Sequence, residues 1–121
     1  AEALGVDPAQ LFKTLMAEVD GKPVCVVVPS DMEVSMKKLA ACFAGKSAAM
    51  MKVPDAERLT GYKVGGIGPY GQKRKVPTAF DETLELFDAV YINAGQRGLL
   101  LSLAPADAVR AAEGKLADLT A

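Results

Sequence analysis

Histidine and tryptophan are absent from this 121-residue chain, and only two cysteines are present. Without histidine, a zinc site or a Ser–His or Cys–His nucleophile pair would have to be built from unusual parts, which argues against those enzyme classes. Cys25 and Cys42 have no Cys-x-x-Cys spacing. They read as core thiols, one in an apolar strand and the other on the apolar side of a helix. No apolar run approaches the ~18 residues of a membrane-spanning helix, since VCVVVP and LLLSLAP are strand-sized. No secretory leader is visible, although the chain opens on Ala1 rather than Met and an N-terminal piece is expected to precede it. A strong net charge is also missing, with 14 Lys and Arg against 15 Asp and Glu. That balance argues against a broadly basic nucleic-acid binder.

The charge that is present is unevenly spread. Residues 37–75 hold nine Lys and Arg against two acids, Asp55 and Glu57, and the rest of the chain is acidic. One face is thereby predicted to attract a phosphate backbone; a solvated lysine-rich surface explains the same run. Half the residues are apolar, enough for a folded core. We find no repeat, low-complexity tract or linker, and expect a single domain over residues 1–121.

Local signals divide the chain into short elements. Asp7-Pro8 pairs an N-cap with proline at the first helical position and predicts a short helix to about Phe12. From Lys13 to Val19 and from Lys22 to Val28, β-favouring residues flank Asp20-Gly21, the dipeptide of a type I′ hairpin turn. Ser35 to Phe43 places Met36, Leu39, Ala40 and Phe43 at helical spacing, with Gly45 as the stop. A strand around 49–53, a small helix from Asp55 to Leu59 ending at Gly61, a short helix over 81–87, strands at 89–93 and 99–103, and a helix from Pro105 closed by Gly114 complete the reading. The predicted class is α/β, a mixed and mostly antiparallel sheet with peripheral helices.

Three segments carry candidate chemistry. Lys13 falls between Phe12 and Thr14-Leu15-Met16, which predicts a partly buried stem beneath an ammonium group; taken alone, such a lysine is more often a snorkelling surface side chain. Gly65-Gly66-Ile67-Gly68-Pro69 has the spacing GxxxP, and glycines there let backbone N–H groups approach an anionic or oxyanionic ligand; a plain tight turn accounts for the same residues. Asn93-Ala94-Gly95-Gln96-Arg97-Gly98 offers Arg97 to a phosphate, or is a hairpin turn with a solvated arginine. Tyr62 and Tyr70 could stack on a base or serve as ordinary packing.

Taken together, LFKTL (11–15), TGYKVGGIGPYGQK (60–73) and NAGQRG (93–98) resemble the YbaK/EbsC family of free-standing aminoacyl-tRNA editing domains, related to the editing domain of prolyl-tRNA synthetase. The resemblance covers nearly the whole chain with its motifs in order. It implies the YbaK/prolyl-tRNA synthetase-associated domain fold, a cytoplasmic protein, and a trans-acting deacylase that clears mischarged tRNA(Pro), with Cys-tRNA(Pro) first among substrates. It implies Lys13 as the catalytic residue, and Gly65, Gly66, Ile67, Gly68, Pro69, Asn93, Gly95 and Arg97 as substrate-binding residues. No metal or other cofactor is implied. The partners are aminoacyl-tRNA and prolyl-tRNA synthetase. In the cysteine-specific branch the substrate's own thiol attacks its ester, which suits a chain lacking a nucleophile–base pair. The sequence departs from the family pattern at Leu100, where an acidic residue is usual, and at Asn93, where serine is common. Editing of alanine or another small amino acid, and a non-catalytic module that binds tRNA or nucleotide, are the alternatives; a plain interaction domain with structural glycine loops is a third.

Overall fold

The computed structural model describes residues 7–63, 66–93 and 100–121. Asp7 caps a 3-10 turn, Pro8–Gln10, through its carboxylate on the Ala9 amide at 2.9 Å. The turn ends earlier than the predicted helix because Leu11 already enters strand β1 (Leu11–Val19). β1 pairs antiparallel with β2 (Lys22–Pro29) across Asp20-Gly21, both at positive φ, as the type I′ turn requires. Ser35 then caps α1 (Met36–Cys42), its hydroxyl accepting from the Lys38 amide at 3.2 Å.

The sheet continues through β3 (Ala48–Met50), β4 (Thr78–Asp81), β5 (Val90–Asn93), β6 (Leu100–Leu103) and β7 (Lys115–Ala117). Its order is β6-β5-β1-β2-β4-β7, with β3 on β1. The β1–β2, β1–β3 and β5–β6 ladders are antiparallel; β1–β5, β2–β4 and β4–β7 are parallel. Helices α2 (Val53–Thr60) and α3 (Pro105–Ala111) complete the described elements, together with a 3-10 turn at Glu82–Leu86. That turn stands where a short helix is predicted, and its cap, Asp81, is buried; the other Asp81 oxygen accepts from the Leu119 amide at 2.9 Å. Pro54 opens α2 from within its first turn instead of preceding it.

β2 is buried on both faces. Cys25 and Val27 join Phe12, Met16, Phe80 and Ile92 in one core, while Val24, Val26 and Val28 join Leu39, Ala79 and Leu119 in the other. A continuous apolar run is what a strand between two layers requires.

Two predicted helix stops work differently from expectation. After α1 the positive φ falls on Ala44, and after α3 on Glu113, one residue before each glycine. Gly45 and Gly114 are needed for room. A Cβ on Gly45 would run into Val19 Cγ1, and one on Gly114 would lie 2.7 Å from the Phe80 ring. Both glycines bring a helix exit directly against a sheet side chain.

Candidate functional site

The register of β1 creates an opening. β5 pairs only with Leu11 and Phe12, and β3 only with Ala17 to Val19. Between them, among the described residues, the β1 edge carries one backbone bond, Met51 N to Met16 O at 3.1 Å. A cavity of about 220 Å³ occupies this gap, lined by residues that include Lys13, Thr14 and Met16 from β1, Met51, Ala56 on α2, Ile67 and Asn93. Lys13 and Thr14 lie on opposite pleats of the strand, and both line the cavity because it opens at the strand's edge. Lys13 is half-buried, as its apolar neighbours predict, and forms no ion pair among the described residues.

Three sequence-predicted residues from three separate segments, Lys13, Ile67 and Asn93, therefore share one cavity. The glycine-rich loop is only partly free to serve as an amide cradle. The Gly66 amide donates to the Lys63 carbonyl at 2.9 Å. The amides of Ile67 and Gly68 make no backbone hydrogen bond among the described residues. Pro69 faces a different cavity, beside Tyr70 and Gln72. Gly65, Gly95 and Arg97 lie outside the described residues.

Sequence reasoning passed over two residues that bear on the site, Thr14 in its lining and Gln72 behind the loop. Thr14 is 6% exposed, lines the cavity, and its Oγ1 has no hydrogen-bond partner among the described residues. A buried hydroxyl without a partner costs roughly 1–3 kcal/mol, so it has to be offset by something else in the protein or by a ligand. Gln72 braces the loop: its Nε2 donates to the Gly68 carbonyl at 3.0 Å and lies 3.7 Å from both Met16 Sδ and Cys25 Sγ. The LFKTL and YGQK motifs contain both residues; the alternation of β1 places Thr14 on the buried pleat with Phe12 and Met16.

The tyrosines are structural. The Tyr62 hydroxyl donates to Tyr70 O at 2.6 Å, and the Tyr70 hydroxyl to Ala108 O at 2.8 Å, with both rings packed on the core. Burial raises the Tyr70 pKa above its usual range. Cys25 is likewise no nucleophile: burial pushes its thiol up to about 12, against smaller opposing effects of hydrogen bonds with Gln72 and Thr78.

A strand-edge cavity with one ammonium group, one unsatisfied hydroxyl and an apolar lining can hold a small polar group by charge and exclude most water around it. Its volume is below the roughly 300–1,000 Å³ of pockets for drug-sized ligands. It suits a small portion of a larger molecule.

The pattern that defines the aminoacyl-tRNA editing domain matches residues 1–111, and the chain belongs to that family. Among its relatives is EbsC of Enterococcus faecalis, which carries a proposed assignment as a Cys-tRNA(Pro)/Cys-tRNA(Cys) deacylase; the two are 37% identical over 122 residues, 99% of this chain and 74% of EbsC. The multifunctional Ser/Thr-tRNA deacylase ProXp-y of Escherichia coli K12 is 28% identical over 121 residues, 96% of this chain and 72% of that protein. The fold is shared with the crystal structure of a proposed trans-editing enzyme for prolyl-tRNA synthetase, at a TM-score of 0.92 and 22% identity, covering 100% of this chain and 76% of that one.

Proposed function

We propose that this chain is an aminoacyl-tRNA deacylase that acts in trans on mischarged tRNA(Pro), with the aminoacyl group held in the Lys13 cavity and Cys-tRNA(Pro) as the substrate. The observation that carries this reading is the meeting of Lys13, Ile67 and Asn93 in one small cavity at the β1 edge. Its size matches a small aminoacyl ester, and its single ammonium group sits where negative charge on a carbonyl oxygen would be stabilised. The relation to EbsC supports cysteine as the amino acid.

The chemistry asks little of the protein. The thiol sulfur of the bound cysteinyl group attacks its own ester carbonyl carbon, the C–O bond to the ribose breaks, and the thiol proton ends on the ribose oxygen. The cyclic thioester released is then opened by water. Lys13 holds and polarises the ester, and the loop at Ile67-Gly68, braced by Gln72, supplies backbone donors. Orientation and charge stabilisation are the whole of the catalysis, so no protein nucleophile is required.

A second amino acid is favoured by a specific observation. The unsatisfied Thr14 hydroxyl would accept a hydrogen bond from a serine side chain as readily as from a cysteine thiol, and ProXp-y is a Ser/Thr-tRNA deacylase. Release of labelled amino acid from Cys-, Ser- and Ala-tRNA(Pro), with and without Lys13→Ala, tests the reading. Release of one amino acid above the spontaneous rate, lost in Lys13→Ala, supports it. Release unaffected by that substitution sinks the role of Lys13, and no release from any of the three leaves a binding module as the better account.

A further inference from the structure

Two larger cavities lie outside this site and share walls. The first, of about 630 Å³, lies between the β1–β2 turn, the exit of α1 and residues 74–77. The second, of about 440 Å³, lies between Pro23, Met51, Leu59 of α2 and Lys73-Arg74. Pro23 and Arg74 line both, so the two form one groove. Met51 lines the second cavity and the Lys13 cavity alike. A continuous path thus runs from the Lys13 site, over Met51, past α2, to the hairpin turn.

The charges along this path are not balanced. Arg58 is held by Asp55 and Lys75 by Glu113. The Asp20 carboxylate accepts from the Lys46 and Ser47 amides. Lys22, Lys73 and Arg74 are exposed, line the groove, and form no ion pair among the described residues. Glu18 is the one lining acid that neither ion-pairs nor accepts a hydrogen bond among them. Pro23, Val24, Phe43 and Leu59 add apolar walls to the same cavities. Unpaired cations in a groove that also has apolar walls suit a strand whose phosphates meet charge and whose sugars and bases meet apolar side chains.

We propose that this groove carries the phosphate backbone of the nucleic acid whose aminoacylated 3′ end enters the Lys13 cavity, with Lys22, Lys73 and Arg74 on successive phosphates. The identity of the ligand rests on the deacylase reading; the groove and its unpaired cations are independent of it. The test is the triple variant Lys22→Gln/Lys73→Gln/Arg74→Gln, compared with Lys37→Gln, which lies on α1 outside the groove. Uncharged tRNA(Pro) is titrated by fluorescence anisotropy across a salt series, and thermal midpoints confirm that all forms are folded.

The triple variant is expected to lose at least about tenfold in affinity, and its log–log salt slope to fall by about 2 to 3, roughly one per phosphate contact. On charged tRNA the loss falls on KM, while turnover of cysteinyl-adenosine, too short to reach the groove, is unchanged. Unchanged affinity and slope overturn the proposal, as does an equal loss in Lys37→Gln, which would mean a diffuse field. Loss of binding to polyglutamate with tRNA binding intact would give the groove to an acidic protein and also overturn it. If the unsubstituted chain hydrolyses no charged tRNA, but the slope falls in the triple variant, the deacylase reading fails and the groove assignment stands.

Discussion

On the α1 side, the sheet buries Val24, Val26, Val28, Leu39, Ala79 and Leu119, aliphatic side chains with no polar atom to satisfy. On the other side, Phe12 and Phe80 share the core with Met16 and Cys25, Gln72 reaches in to two sulfur atoms, and Thr14 keeps an unpaired hydroxyl beside a cavity. The buried interior of the first face is aliphatic packing. The second gives up part of that packing to hold a pocket and a braced loop. Stability and activity should therefore respond separately to substitutions on the two faces.

The largest separation is expected from one residue on each. Leu39→Ala, on the packing face, should destabilise by roughly 2–5 kcal/mol in chemical denaturation while leaving turnover per folded molecule intact. Lys13→Ala should lower amino-acid release by about 100-fold with little change in midpoint, since an electrostatic contact at the reacting group is lost. Equal stability losses from both would break the comparison.

Smaller effects sharpen it. Thr14→Val keeps shape and removes the unsatisfied hydroxyl, so it should raise stability by about 1 kcal/mol while narrowing any preference for serine or cysteine over alanine in competition assays. Gln72→Leu should lower kcat/KM on charged tRNA by about tenfold through a loosened Gly68 carbonyl, and cost no more than about 1.5 kcal/mol in stability. The smallest concerns pH. Because burial raises the Cys25 thiol from the usual 9.0 to about 12, the folded chain holds a proton there that the unfolded chain has lost. Its contribution is complete below about pH 9 and declines as pH rises toward about 12. Cys25→Ala should flatten stability over that window, measured by denaturant titration at stepped pH.

The same contrast explains what was legible in the sequence. The hairpin was readable because Asp20-Gly21 must take positive φ, and α1 because Ser35 caps a helically spaced apolar set. β4 and β7 were not foreseen. They are short, and their pairing with β2 and with each other is a long-range fact with no local mark. Gly45 and Gly114 looked like helix stops, yet their role is to make space for Val19 and Phe80, which only the packed sheet reveals. Lys13, Ile67 and Asn93 were named in advance through family resemblance, while the partnerless state of Thr14 depends on the neighbours that the fold brings to it.

The gap in the β1 edge has one more consequence. Leu11 O accepts from Ser30 N on the β2 side and Met16 O from Met51 N on the opposite side, so the alternation along β1 turns the Thr14 amide toward the cavity, beyond the last β5 rung at Phe12. Among the described residues this amide has no backbone partner, which leaves its proton to report on occupancy. Its exchange with deuterated solvent should be fast in the free chain and slow when the cavity is filled, a built-in gauge of ligand binding that needs no label and no turnover.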